Sequence, residues 1–231
     1  MGGRDEVVEY RQERYRPPAG AVTVLPVRHG ASRAARADAP FPLVDGHADP
    51  ELAAEGHRQA ERVCARLAGE RLDAVYVTTL RRTAQTAAPL VRRLGIEPRV
   101  EADLREVHLG AWEGGLFRRM VAEDAPEARR LWAEERWDVI PGAEPNEALA
   151  ARVWRGIDRI AAAHPGGRVA VFTHGGVIAQ ALSLAAGARP PAFLGTDNCS
   201  ISELVVIGER WSVRRFNDTA HLDGPGDGAL T

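Results

Sequence analysis

The stretch "VTVLPVRHGAS", Val22 to Ser32, runs apolar and β-branched and then stops at Arg28-His29-Gly30. A strand that merely reached the surface would end in any polar residue. One that carries an arginine and a histidine side by side at its end, ahead of a glycine, is set up for an anion. The rest of the chain decides between the two.

Outward from this strand, the chain alternates between β and α patterns. Strand character runs from Ala21 to Val27, Ala74 to Val77 and Arg168 to Thr173, with two more runs at Ile201 to Ile207 and Trp211 to Phe216. Between them, "ELAAEGHRQAERVCARLAGE" sets Ala60, Val63, Cys64 and Leu67 in one helical stripe. "NEALAARVWRGIDRIAAAH" does the same with Leu149, Val153, Ile157 and Ile160, and Asn146 is a suitable N-cap. "LRRTAQTAAPLVRRLG" is helical up to Gly95, with Pro89 expected to bend or break it. Apolar strands alternating with helices imply a single-domain three-layer α/β/α sandwich with a mostly parallel central sheet. The last two strands, joined by "GER", read as a hairpin that gives the sheet an antiparallel edge. Residues 1–20 read as an extension that packs as an edge strand or forms an arm. The domain spans 21–222, and 223–231 reads as a flexible tail.

Three strand ends converge chemically, because ligands of open parallel sheets sit outside the carboxyl ends of the strands. The first end gives Arg28 and His29. The second, "VYVTTLRRTAQTA", offers Thr78 and Thr79 as caps and then puts Arg81 and Arg82 in the first helical turn. Arginine there opposes the helix dipole, so an anion at that terminus is expected. The third, "VAVFTHGGVIAQAL", ends at His174 and enters a helix through Gly175 and Gly176, where backbone N–H groups approach a ligand closely. Two arginines and two histidines at the ends of one sheet describe a pocket for a dianion such as a phosphoryl group.

Composition removes other chemistries. All 30 basic residues are arginine, so a Walker-type phosphate loop and Schiff-base catalysis are both excluded. The net charge of −2 gives no field for nucleic acid or an anionic membrane, and no run is apolar enough to span a bilayer. Cys64 and Cys199 sit among apolar neighbours and read as buried free thiols, and the cytoplasm is the expected location. A histidine beside arginines is favoured neutral and therefore nucleophilic. A proton donor for the leaving group is still needed. "LREVHLGAWEGG" offers Glu106, His108 and Glu113, and spacing does not choose among them.

Taken together, "VRHGAS", "LAAEGHRQA", "VTTLRRTAQTA", "LREVHLGAWEGG", "VAVFTHGGV" and "NDTAHL" resemble, in order, the histidine phosphatase superfamily, in its phosphoglycerate-mutase-like branch. The resemblance runs from about Ala21 to Leu222. It implies His29 as the nucleophile, forming a phosphohistidine that water hydrolyses. Arg28, Arg82 and His174 would hold the phosphoryl group, with Ser32 and Gly175 beside it, and Glu106 would be the acid and then the base. It implies no metal and no cofactor. Arg81 falls outside the family pattern and reads as surface. Ala35 stands where relatives often carry an asparagine, and Phe117 stands where true mutases carry a carboxylate-binding lysine. These departures favour a phosphatase acting on a small phosphorylated metabolite over a phosphoglycerate-mutase-type phosphotransferase. A two-histidine, one-carboxylate metal site is a third reading, and a homodimer is one arrangement open to the chain. Leu116 to Pro145 reads as a lid or wall whose Arg118, Arg119, Arg129 and Arg130 either bind an acidic substrate or, as the mixed signs of "APEARRLWAEERW" favour, form a solvated surface. Phe41, Trp112, Phe117 and Trp137 read as pocket wall or core.

Overall fold

In the computed structural model, which describes residues 9–223, strict alternation sorts the side chains of each strand to two faces of one sheet. In β1 (Val22–Arg28), Val22 and Val24 point to one face, and Leu25 and Val27 to the other. A hairpin of β2 (Leu43–Val44) and β3 (His47–Ala48) follows, then α1 (Ala54–Leu67), β4 (Ala74–Val77), α2 (Arg81–Leu94) and the short β5 (Arg99–Val100). Next come α3 (Leu116–Ala122), α4 (Pro126–Glu134) and α5 (Asn146–Ala163). β6 (Arg168–Thr173), α6 (Gly175–Ala186), β7 (Ile201–Ile207) and β8 (Arg210–Asp218) complete the chain.

The six-stranded sheet has the order β5-β4-β6-β1-β7-β8. β1, β4, β5 and β6 run parallel, while β7 and β8 form the antiparallel hairpin at one side. Helices α5 and α6 bury Leu149, Val153, Ile157, Ile160, Ile178 and Leu182 against one face. Helices α1 and α2 bury Val63, Cys64, Leu67 and Leu90 against the other. The α/β/α sandwich expected from the sequence is the fold observed. β1 lies at its centre, hydrogen-bonded to β6 and β7. It tolerates Pro26 because its pairing to β7 is registered at residues 22–24 and 27, leaving the proline across an interval where no N–H is required.

Several local expectations come out differently. Helix α2 continues through Pro89 to an αL cap at Gly95. Asn146 begins α5 rather than capping it. Its side chain accepts from Trp137 N (3.2 Å) and donates to Glu135 O (2.7 Å), pinning the segment before the helix. Leu80, not a threonine, is the N-cap of α2, while Thr78 and Thr83 bond to each other at its base. Residues 9–18 form no strand; Tyr15 lies beneath the Arg214 guanidinium, 3.7 Å from its ring centre. The expected tail, apart from Asp223, lies outside the described residues. Both cysteines are free and buried.

Of the two arginines at the start of α2, Arg81 finds its anion within the chain. The buried Asp49 accepts from Arg81 N (2.8 Å) through one oxygen and from Arg81 Nε (2.7 Å) through the other. Arg81 is therefore a half-exposed anchor for the β2–β3 hairpin rather than a free surface charge. Segment 116–145 closes over its own small core of Trp112, Ala128, Leu131, Val139 and Ile140. We expect Asp49→Ala to leave the α2 terminus and Arg81 without an acceptor and to cost about 1–2 kcal/mol of stability. Equilibrium urea denaturation would measure it; an unchanged midpoint would mean that the hairpin is held elsewhere.

Candidate active site

The carboxyl ends of β1, β4 and β6 bring His29, Arg82 and His174 together, as parallel strands require. His29 is 5% exposed and His174 0%, and their ring centres lie 5.2 Å apart. His29 Nδ1 lies 2.8 Å from Gly30 O. A carbonyl only accepts, so Nδ1 carries the proton, and in the neutral ring Nε2 keeps its lone pair. The loop bearing His29 is fixed by motif residues that carry no reactive group. Thr86 Oγ1 accepts from Gly30 N (3.0 Å), Gln59 Oε1 from Ala31 N (2.8 Å) and Gln85 Oε1 from Leu52 N (2.8 Å). The second threonine and the glutamine of "TAQTA" and the glutamine of "GHRQA" are thus the loop's backbone acceptors.

The two buried arginines are held by carbonyls. Arg28 donates to Thr196 O, and Arg82 Nη1 to Ala48 O (2.8 Å). Neither ion-pairs with a carboxylate among the described residues, and burial lowers both pKa values, that of Arg82 to about 10. The loop supplying Thr196 is anchored by the terminal motif. Asn217 accepts from Asp197 N and donates to its carboxylate, both at 2.7 Å, and His221 Nε2 lies 3.0 Å from Cys199 O. Asn198 closes the circuit by donating to His29 O (2.9 Å). Arg28 Nε and His174 Nδ1 are buried without a partner among the described residues. His174 Nε2 lies 3.0 Å from Thr78 Oγ1.

The geometry also separates the two glutamates. Both oxygens of Glu113 are occupied, accepting from Ala48 N (2.6 Å) and Leu109 N (2.8 Å), which ties the β2–β3 hairpin to the following loop. Glu106 lies in the pocket with Arg28, His29 and Arg82, more loosely held by Val107 N (3.0 Å) and Gly176 N (3.5 Å). A Cβ at Gly176 would stand 2.7 Å from Glu106 Oε1, so glycine is needed there for the carboxylate to approach. Gly175 lies beside Arg28, where a Cβ would meet Nε at 3.5 Å. Ser32 does not line the pocket; its hydroxyl accepts from Arg118 Nη2 at 2.7 Å. His108 accepts from Gly110 N at 3.2 Å.

Behind Glu106 lies an ion pair that composition could not reveal. Arg152 of α5, nearly buried, donates from Nε and Nη2 to both oxygens of Glu144 (2.6 and 2.8 Å). It also donates to the carbonyls of Asp103 (2.7 Å), Arg105 (2.6 Å) and Glu106 (3.0 Å). One guanidinium thus fixes the backbone of the acid-bearing loop. Its sequence signal was an arginine on the buried stripe of a helix. Among the described residues, no group of three His, Cys, Asp or Glu side chains gathers to hold a metal ion, so the alternative donor set is not assembled.

A family model for the histidine phosphatase superfamily (branch 1) matches residues 24–219. The chain is 35% identical over 190 residues to phosphoglycerate mutase-like protein 4 of Arabidopsis thaliana, covering 79% of this chain and 81% of that one. It is 31% identical over 208 residues to the metal-independent phosphoserine phosphatase of the same plant, covering 88% and 84%. Its fold superposes on native mycobacterial glucosyl-3-phosphoglycerate phosphatase with a TM-score of 0.72 at 29% identity, covering 86% of this chain and 100% of that one. The chain belongs to the histidine phosphatase superfamily, branch 1.

Two outcomes follow from this geometry. Arg152→Met should lower kcat by about tenfold or more while inorganic phosphate binds within about threefold of wild type, because the acid-bearing loop and not the cationic cradle is loosened. Equal losses in kcat and phosphate affinity would contradict this. The second concerns pH. Burial first, then Arg82, and then Arg28 for His29 and His29 for His174, hold both imidazoles well below their usual 6.5; His47, His164 and His221 shift the same way. The unfolded chain takes up protons below about 6.5 that the folded chain refuses. Stability should therefore be level above pH 7 and fall as pH drops through 6.5, by on the order of 1.4 kcal/mol per pH unit for each imidazole kept neutral. Denaturation between pH 5 and 7.5 measures that slope, which should be smaller in His174→Asn.

Proposed function

We propose that this chain is a metal-independent phosphomonoesterase that works through a phosphohistidine on His29. The observation that carries the reading is a neutral, tautomer-fixed imidazole set among two buried guanidinium groups that make no ion-pair contact with a carboxylate among the described residues. The family match and the phosphatase names of its relatives support it.

In the first step the Nε2 lone pair attacks phosphorus and the bond to the leaving oxygen breaks, with Glu106 giving that oxygen a proton. In the second, the Glu106 carboxylate takes a proton from water. The water oxygen bonds to phosphorus, and the P–N bond breaks to restore Nε2. Arg28 and Arg82 neutralise the phosphoryl oxygens as charge develops, and the neutral His174, buried against His29, adds a hydrogen bond rather than a charge. Water as acceptor, rather than a second substrate, is favoured by Phe117 at the position of the mutases' lysine. No helix among the described residues is long and apolar enough to cross a membrane. Two free buried thiols suit a reducing compartment, so we assign the protein to the cytoplasm.

With chelator present, wild-type protein should hydrolyse aryl phosphates and yield an acid-labile, base-stable phosphoprotein on rapid quenching. His29→Ala should lose both. Glu106→Gln should slow hydrolysis of alkyl phosphates by about 10²–10⁴ and of activated aryl phosphates far less, since a good leaving group needs no proton. A chelator-sensitive activity, or a phosphoprotein that persists in His29→Ala, would remove this mechanism.

A further inference from the structure

The pocket above His29 is a cavity of about 250 Å³ whose outer wall is aromatic. Trp112, Phe117 and Trp137 follow one another at 6.1 Å between ring centres, and Phe41 faces the same space. The polar side chains beyond the phosphoryl cradle are already partly engaged. Each oxygen of Glu113 accepts from one backbone N–H, and His47 Nδ1 faces Asp45 O (3.1 Å). A sugar in this space would have to pair several hydroxyls with these few groups against an aromatic wall, and buried unpaired hydroxyls are costly.

Arg118 is the exception. Its neighbours in the lid each hold a carboxylate: Arg119 with Glu123, Arg129 with Asp124 and Arg130 with Glu134, all at 2.8 Å. Arg118 has no acidic partner among the described residues. Its guanidinium is held by neutral oxygens, Ser32 Oγ (2.7 Å) and Arg33 O (2.8 Å), and lies 5.4 Å from the centre of the Phe41 ring. It lines the cavity, where Arg28 disfavours its charge and it in turn disfavours positive charge on His29 and Arg82. Of the four lid arginines whose sequence leaves open an acidic substrate or a solvated surface, Arg118, itself exposed, is the one that Ser32 orients toward the site.

Resting on the phosphatase reading above, we propose that Arg118 and the aromatic wall select phosphomonoesters of flat, apolar alcohols that carry a second acidic group, such as a carboxylate. The cradle takes the phosphoryl group, the rings of Phe41, Phe117 and Trp137 take the apolar body, and Arg118 takes the second acid. A guanidinium fits a carboxylate with two parallel hydrogen bonds, and Arg118, although exposed, is already held in place by Ser32 and Arg33.

The test compares kcat/KM of the full chain on phenyl phosphate, a carboxyphenyl phosphate and glucose 6-phosphate, for wild type, Arg118→Met and Arg118→Glu. Wild type should prefer the carboxylated aryl ester over phenyl phosphate by about ten- to hundredfold, the worth of one charge-assisted contact, and should turn over the sugar phosphate worst. In Arg118→Met the preference should collapse towards unity, chiefly through KM of the carboxylated ester. In Arg118→Glu it should invert, favouring an aminomethylphenyl phosphate. No carboxylate preference in wild type, or a better rate on glucose 6-phosphate, would overturn the proposal while leaving the phosphatase reading intact. Equal loss on all esters in Arg118→Met would also overturn it, placing Arg118 in the phosphoryl cradle. Absence of turnover on every ester would remove the phosphatase reading, and this proposal with it.

Discussion

Two guanidinium groups kept out of water, facing two imidazoles kept neutral, are the constraint around which this molecule is arranged. Arg28 and Arg82 have carbonyl acceptors rather than carboxylate partners, and burial makes their positive charge unfavourable. Glu106 in the same pocket favours both charges, but burial outweighs it, and a charge kept from water weighs against the fold. It persists here because the surrounding backbone is oriented to receive it. The same two charges help to keep His29 unprotonated, so the feature that strains the fold also prepares His29 for the nucleophilic role proposed for it.

The supporting structure is distributed along the whole chain. Thr196 and Ala48 supply the acceptors for the two arginines. Asn217 and His221 steady the loop that holds Thr196, and Asp49 and Glu113 steady the hairpin that holds Ala48. Thr86 and Gln59 receive the backbone of the His29 loop, and Arg152 gathers the loop that carries Glu106. Most motif residues that attract attention in the sequence therefore serve the backbone around the pocket rather than line it. They fix the main chain, and the main chain fixes the few side chains that react.

The lid differs in character from the rest. Its small core around Trp112, Leu131 and Ile140 is separate from the two cores that sandwich the sheet. It holds Phe117 and Trp137 over the pocket, so the segment that carries least of the fold faces the variable part of a substrate. A scaffold of this kind keeps its phosphoryl chemistry constant while the lid sets the alcohol it accepts.

The sequence by itself determined the sandwich, because continuous apolar strands such as Val22 to Val27 and helical stripes such as Leu149 to Ile160 are written locally in the chain. It also brought Arg28, His29, Arg82 and His174 to one rim, since parallel strands place all their carboxyl ends together. What only the tertiary structure decided are relations across long separations. Glu106 is distinguished from Glu113 by which backbone N–H groups each meets, and the arginine that opposes the α2 dipole is answered by Asp49 from a distant hairpin. Arg118 and its three paired neighbours look alike in a string of charges. Only the folding of the lid over Ser32 and Phe41 separates the one that faces the site, because a side chain's partner is a property of position in space and not of residue type.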